Sequence, residues 1–234
     1  MVYQVEVSAE GLRGGVRGYE RSRVSSSSAV RPAFTATRVA DVILSAGLIL
    51  FISPLLLLIC VLIKLQDNGP LLFSQQRKGL GGRSFRCFKF RSMVVDAEAR
   101  LNAVLARDPR ARAEWAADHK LRNDPRITAL GRFLRKSSLD ELPQLFNVLS
   151  GEMSLVGPRP IVEAEVEKYG RWYRHYCAVT PGITGMWQVS GRNDVEYRRR
   201  VALDVMFAKR RSLALYCRIL LLTVPCLLLR DGAY

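Results

Sequence analysis

Apolar and polar positions divide the chain unequally. From Val42 to Ile63, between Asp41 and Lys64, no charged residue occurs. At about 1.5 Å of rise per residue, a helix over this stretch reaches across a hydrocarbon core. Ser53-Pro54 falls at its midpoint. Proline removes one backbone hydrogen bond and crowds the preceding turn, which predicts a kink. The neighbouring serine can offer its hydroxyl to a freed carbonyl. Arg21, Arg23, Arg31 and Arg38 precede the stretch; Lys64, Arg77 and Lys78 follow it. Basic flanks on both sides pull both ends toward the cytoplasmic face. Two arrangements remain open on these grounds: a straight span, and a helix–break–helix that dips into one leaflet and returns.

Beyond the apolar stretch, the pattern changes period. Phe85, Cys87 or Phe88, and Phe90 alternate with Arg86, Lys89 and Arg91, and Gly79, Gly81 and Gly82 supply a turn. This predicts a short β-hairpin with one basic face. Residues 94–120 are rich in Ala, Arg and Glu with a break at Asp108-Pro109, predicting exposed helices over Asp96–Arg107 and Ala111–Lys120. Trp115 is expected to pack, and His119 to be a surface residue rather than a ligand. Leu130, Phe133 and Leu134 mark an apolar helix face opposite Arg132, Arg135 and Lys136. Further helices are expected over Ile161–Arg174 and Val195–Arg211, separated by a long loop, Thr180–Asp194, rich in Gly and polar side chains. Leu213–Leu229 is mostly apolar but carries Arg218 and Pro225. It is short for a span, and an arginine at mid-bilayer is costly, so an interfacial helix is predicted.

Composition narrows the partners. The 234 residues suffice for one ordinary domain with appendages, and a hydrophobic fraction of 49% excludes a polytopic membrane protein for the bulk of the chain. A net charge of +15 points to an anionic partner: nucleic acid, an acidic membrane surface or phosphorylated small molecules. Residues 1–37, rich in Gly, Ser and Arg, predict a flexible basic leader without a signal-peptide core. Cysteines 60, 87, 177, 217 and 226 show neither a CxxC pair nor zinc spacing, so a disulfide framework or structural metal is not expected.

The chemistry concentrates in Arg135 to Pro160. Asp140 and Glu141 lie between Arg132, Arg135 and Lys136 on one side and Arg159 on the other. Nearby positive charge should keep both carboxylates ionised, and the same setting suits a phosphate ester. Ser138-Leu-Asp-Glu141 equally fits a capping box, with the acids serving only as helix punctuation. A helix starting at Asp140 instead would put Pro143 in its first turn and the acids at an amide-rich mouth that also attracts phosphate. Arg159, between Pro158 and Pro160, has a restricted backbone, which suits a guanidinium positioned for phosphate.

These segments together resemble the bacterial sugar transferase family, the small monotopic phosphoglycosyl transferases. The resemblance runs from about Val39 to the C-terminus. It rests on Phe88-Lys-Phe-Arg-Ser-Met93, Asp124-Pro-Arg-Ile-Thr128, Ser138-Leu-Asp-Glu-Leu-Pro-Gln144, Gly157-Pro-Arg-Pro160, Pro181-Gly-Ile-Thr-Gly185 and Gly191-Arg-Asn193, in that order. The insert from Asp96 to Lys120 is similar to the exopolysaccharide-initiating, hexose-transferring branch, in its short form. The resemblance implies an α+β, mainly α fold. A re-entrant membrane hairpin over 38–66, broken at Ser53 and Pro54, would carry a cytosolic catalytic domain over 67–234 with a short β-hairpin and interfacial helices. It implies transfer of hexose-1-phosphate, galactose or glucose, from a UDP-sugar to undecaprenyl phosphate with release of UMP. Asp140 would be the nucleophile, forming an aspartyl-phosphosugar intermediate, and Glu141 would bind Mg²⁺. Lys89, Arg135 and Arg159 would bind phosphates, with Gln188 and Arg192 near substrate. The site would face the cytoplasm at the bacterial inner membrane, among anionic lipids and without nucleic acid. Oligomeric state stays open, a homodimer included. The competing expectations are a membrane-tethered, non-catalytic anion binder and a glycosyltransferase releasing UDP.

Overall fold

The computed structural model describes residues 3–4, 36–118, 121–191 and 195–228. It is mainly helical with two small sheets, an α+β arrangement. In chain order the elements are β1 (Tyr3–Gln4), α1 (Ala36–Asp67), β2 (Leu72–Lys78), β3 (Ser84–Phe90), α2 (Ala97–Arg107), α3 (Pro109–Asp118), α4 (Ala129–Lys136), α5 (Gln144–Ser150), β4 (Ser154–Val156), α6 (Val166–Tyr169), α7 (Tyr173–Cys177), β5 (Gly182–Thr184), α8 (Tyr197–Arg210) and α9 (Leu213–Leu228).

The apolar stretch forms α1, which is helical without interruption through Ser53-Pro54. The missing N–H of Pro54 frees the Leu50 carbonyl four residues earlier, and Ser53 Oγ donates to it at 2.8 Å. No break in the helix appears where the helix–break–helix form was expected. By length and composition this helix is long and apolar enough to cross a membrane. One stripe of it nevertheless lies along the domain. Asp41, Ser45, Ile59 and Ile63 are buried, and Ile49, Ile52 and Leu56 pack between them. That spacing of three and four keeps the stripe on one side of a helix. The opposite side exposes Leu50, Phe51, Leu58 and Leu65.

Polar side chains fasten both ends of α1. Arg38 donates to the carbonyls of Val148 and Leu149, placing a cation at the C-terminus of α5. Asp41 Oδ1 accepts from Ser154 Oγ, the Leu155 N–H and Tyr216 Oη, at 3.0, 2.8 and 2.7 Å. One carboxylate oxygen thus joins α1, β4 and α9. At the other end Asp67 pairs with Arg91.

β2 and β3 form the expected hairpin, with Leu72 opposite Phe90 and Lys78 opposite Ser84. Gly81 and Gly82 turn the chain at φ of 68° and 73°, where a side chain would be strained. The expected single basic face is not what forms. Strand alternation puts Lys89 on the side of Phe85 and Cys87, which are buried, while Phe90 on the other side packs with Ile59, Ile63 and Leu134. Lys89 points into the body of the domain, while Ser84 and Arg86 on the other face stay exposed.

β4 and β5 pair in parallel, Ser154 with Gly182 and Val156 with Thr184. A Cβ on Gly182 would lie 2.0 Å from the Gly157 nitrogen, so this approach requires glycine. The long loop expected over 180–194 therefore contains a strand. The single helix expected over Ile161–Arg174 is instead a series of short turns with α6 and α7, interrupted at Gly170, whose φ is 48°. The two helices of the insert form nearly as expected. On α4, Leu134 is fully buried, but Phe133 is exposed, since adjacent helical residues diverge by about 100°. Asp204 on α8 is 1% exposed and accepts from Tyr169 Oη at 2.7 Å. Burial pushes its carboxyl up to about 7 despite that hydrogen bond.

A candidate active site of two acids and two cations

The capping box foreseen at Ser138 does not form. Ser138 adopts a left-handed φ of 58° and caps nothing with its side chain. Leu139–Glu141 is a single 3₁₀ turn, and α5 starts three residues beyond Glu141 with Pro143 at its N-cap. The acids therefore precede the helix and do not sit at its mouth. Freed from capping, Glu141 Oε1 accepts from Lys89 Nζ at 2.7 Å and from Arg159 Nη2 at 3.4 Å. Lys89 Nζ also lies 3.7 Å from Asp140 Oδ2. Four residues from three separated segments of the sequence thus meet in one cluster.

Each arrives by a separate device. Lys89 is aimed by the strand alternation of β3. Asn147 on α5 is fully buried and locks β3 to α5: its Oδ1 accepts from the Phe88 N–H at 3.0 Å, and its Nδ2 donates to the Arg86 carbonyl at 2.7 Å. Arg159 follows β4, whose extension is held against β5 by the Gly157 N–H to Thr184 and the Gly182 N–H to Pro158, both at 2.8 Å. Arg77 on β2 donates to the Pro160 carbonyl at 3.0 Å and fixes the far end of the same turn.

The carboxyls of the two acids are shifted in opposite directions. Burial opposes ionisation of Glu141, but Arg159 and Lys89 outweigh it and hold its carboxyl at about 2. Asp140 is 7% exposed, and burial, with Glu141 beside it, pushes its carboxyl above the ordinary value despite Lys89 and Arg135. The cationic setting therefore outweighs burial at Glu141 and not at Asp140.

Arg77, Cys87, Lys89, Glu141, Gln144, Arg159, Gly182 and Ile183 line a recess of about 10 Å³, room for roughly one water. Lys89 and Arg159, both drawn to Glu141, close it. Any phosphate entering must replace the Glu141 carboxylate as their partner.

Of the other sequence-predicted residues, Arg135 lies close enough to Asp140 to influence it, but its Nε donates to Ser92 Oγ at 2.8 Å. Gln188 is not joined to the cluster; among the described residues both of its buried amide atoms lack a partner, beneath Gly185. Arg192 lies outside the described residues. Asp124 and Arg126 of the Asp-Pro-Arg segment pair with each other, and Thr128 hydrogen-bonds to Ser92, so this segment braces Arg135. Arg77, Gln144 and Asn147 were not foreseen. Asn147 carried a faint signal, an amide in an otherwise apolar helical run.

Among the described residues no group of three or more His, Cys, Asp or Glu could hold a metal. A single carboxylate suits Mg²⁺, which keeps several waters and takes substrate phosphates as ligands. Glu141 fits that pattern: it is ionised, and both cations engage the same oxygen, Oε1.

The family model for bacterial sugar transferases matches residues 33–230. An undecaprenyl-phosphate galactose phosphotransferase of Salmonella typhimurium is 49% identical over 212 residues, 91% of this chain and 44% of the relative. The exopolysaccharide production protein ExoY of Rhizobium meliloti is 46% identical over 207 residues, 88% of this chain and 92% of the relative. A UDP-glucose:undecaprenyl-phosphate glucose-1-phosphate transferase of Xanthomonas campestris is 41% identical, over 85% of this chain and 40% of the relative. The chain spans less than half of the first and third of these and nearly all of the second. With the match covering most of its length, the chain belongs to the bacterial sugar transferase family.

Proposed function

We propose that the protein transfers hexose-1-phosphate from a UDP-sugar to undecaprenyl phosphate, the opening step of an exopolysaccharide. The observation that carries this is the convergence of Lys89, Arg159 and the acid pair in one recess. Asp140 attacks the sugar-proximal phosphorus of the donor through a carboxylate oxygen, and the bond from that phosphorus to the UMP oxygen breaks. UMP leaves with the electron pair, and an aspartyl-phosphosugar remains. A phosphate oxygen of undecaprenyl phosphate then attacks the same phosphorus, forming the lipid diphosphosugar and restoring the Asp140 carboxylate. Burial keeps Asp140 basic, which favours its attack once it is ionised. Lys89 and Arg159 turn from Glu141 to the donor phosphates and offset their charge. Arg135 steadies Asp140 from the side of Ser92. Glu141 would hold Mg²⁺, which supplies charge neutralisation at the diphosphate. A lipid acceptor fits the exposed apolar side of α1, with the domain at the cytoplasmic face of the inner membrane. Both ends of α1 are fastened to one body and one stripe of the unbroken helix lies along it, which supports a monotopic attachment from one side.

The test is nucleotide release from a panel of UDP-sugars with undecaprenyl phosphate and Mg²⁺. UMP with UDP-galactose or UDP-glucose is expected, and the productive donor identifies the hexose. UDP as the product would replace phosphosugar transfer with plain glycosyl transfer.

A further inference from the structure

A second cavity lies between α8, α9 and the turn after β5. It has a volume of about 340 Å³ and is lined by Met186, Met206, Leu215, Arg210 and Arg218. Three side chains are apolar and two are guanidinium, and among the described residues no acid or nucleophile faces it. Met206 and Arg210 are one turn apart on α8, and Leu215 and Arg218 are one turn apart on α9, so each helix contributes one apolar and one cationic wall. Among the described residues neither arginine is paired with a carboxylate, and both are exposed. Arg218 stands in an otherwise apolar helix whose Tyr216 and Ile219 point inward and whose Leu221, Leu222 and Val224 are exposed. An unpaired arginine there is costly inside a bilayer and favourable at its phosphate layer. Nearby, Trp172 lies under Arg171 and Lys209, at 4.8 and 5.8 Å, the pairing of an aromatic with basic residues found at lipid–water boundaries.

From these observations we infer that the cavity between α8 and α9 binds one anionic phospholipid, its phosphodiester on Arg210 and Arg218 and the start of its acyl chain against Met186, Met206 and Leu215. The inference rests on the membrane attachment proposed above. The absence of a reacting group around the cavity among the described residues favours the surrounding membrane over the acceptor as the source of the occupant. Met186 follows β5, whose Gly182 and Ile183 line the catalytic recess, so lipid binding braces the strand that holds Arg159.

Vesicle flotation tests this with phosphatidylcholine alone and with added phosphatidylglycerol. The native chain should bind more tightly when phosphatidylglycerol is present. R210A/R218A should lose that increment, on the order of tenfold in Kd, and keep its phosphatidylcholine binding. R110A/R112A removes the same charge from the exposed α3 and should keep the increment. Equal losses in the two variants would reduce the effect to diffuse charge and overturn the site. An arginine-dependent increment from undecaprenyl phosphate, with none from phosphatidylglycerol, would overturn it too, by making the acceptor the occupant. R210Q/R218Q replaces the alanine variant if that melts lower. In detergent, R210A/R218A should release UMP at the native rate. Failure of the native chain to release UMP would remove the proposed function and leave the flotation result standing.

Discussion

Asp140 and Glu141 are neighbours with opposite electrostatics, so neutralising each should have opposite effects on stability. Asp140→Asn removes a charge that burial disfavours. It should leave the melting temperature unchanged or raised while UMP release falls by about three orders of magnitude or more. Glu141→Gln leaves Lys89 and Arg159 without their shared partner and should cost about 2 kcal/mol in chemical denaturation. Asp204 gives a pH dependence unrelated to catalysis. Its folded value of about 7 lies above an ordinary aspartate, so its contribution is fully present below about pH 4 and is lost as pH rises through about 7. Asp204→Asn should flatten the fall in melting temperature between about pH 4 and 7, a difference on the order of 4 kcal/mol at the alkaline end. In the sequence, the acid pair was legible as unusual, but the opposite shifts of its two carboxyls were not. Those follow from which oxygen Lys89 reaches, and that depends on a strand register and a buried asparagine far along the chain.

At the scale of elements, most helices follow from periodicity, and the hairpin follows from alternation and its glycines. The acid turn does not, because Ser138-Leu-Asp-Glu141 satisfies a local capping rule that tertiary pairing of Glu141 overrides. The pairing of β4 with β5 was hidden as well. Both strands are three residues long, and the close approach of Gly157 and Gly182 links segments with no local signal for each other. Asp41 also escaped notice; at the edge of an apolar stretch it looked like a boundary charge. Its three hydrogen bonds make it the fastening of α1 to β4 and α9. Asp41→Ala should cost about 3 kcal/mol and lower the melting temperature by roughly 6–12 °C, whereas Asp41→Asn, which retains an acceptor oxygen, should cost far less.

For the whole molecule, the apolar stretch signalled membrane contact but left its path open, because composition does not record what each end touches. With Arg38 and Asp67 both bound to the domain, single cysteines placed at Thr37 and at Gln66 in a cysteine-free background should react with a membrane-impermeant maleimide from the same side. Labelling from opposite sides would mean a true span. The net charge of +15 invites a second expectation, that donor binding weakens steeply as salt is added. The closed recess argues otherwise. Lys89 and Arg159 already share one carboxylate, Glu141, standing where a phosphate would go. Donor binding is then an ion exchange within the protein, with few counterions released to solvent. KM for the UDP-sugar should vary little with ionic strength, and Glu141→Gln, by leaving the cations bare, should give it a steep salt dependence. The resting site already holds an internal anion, and the donor displaces it.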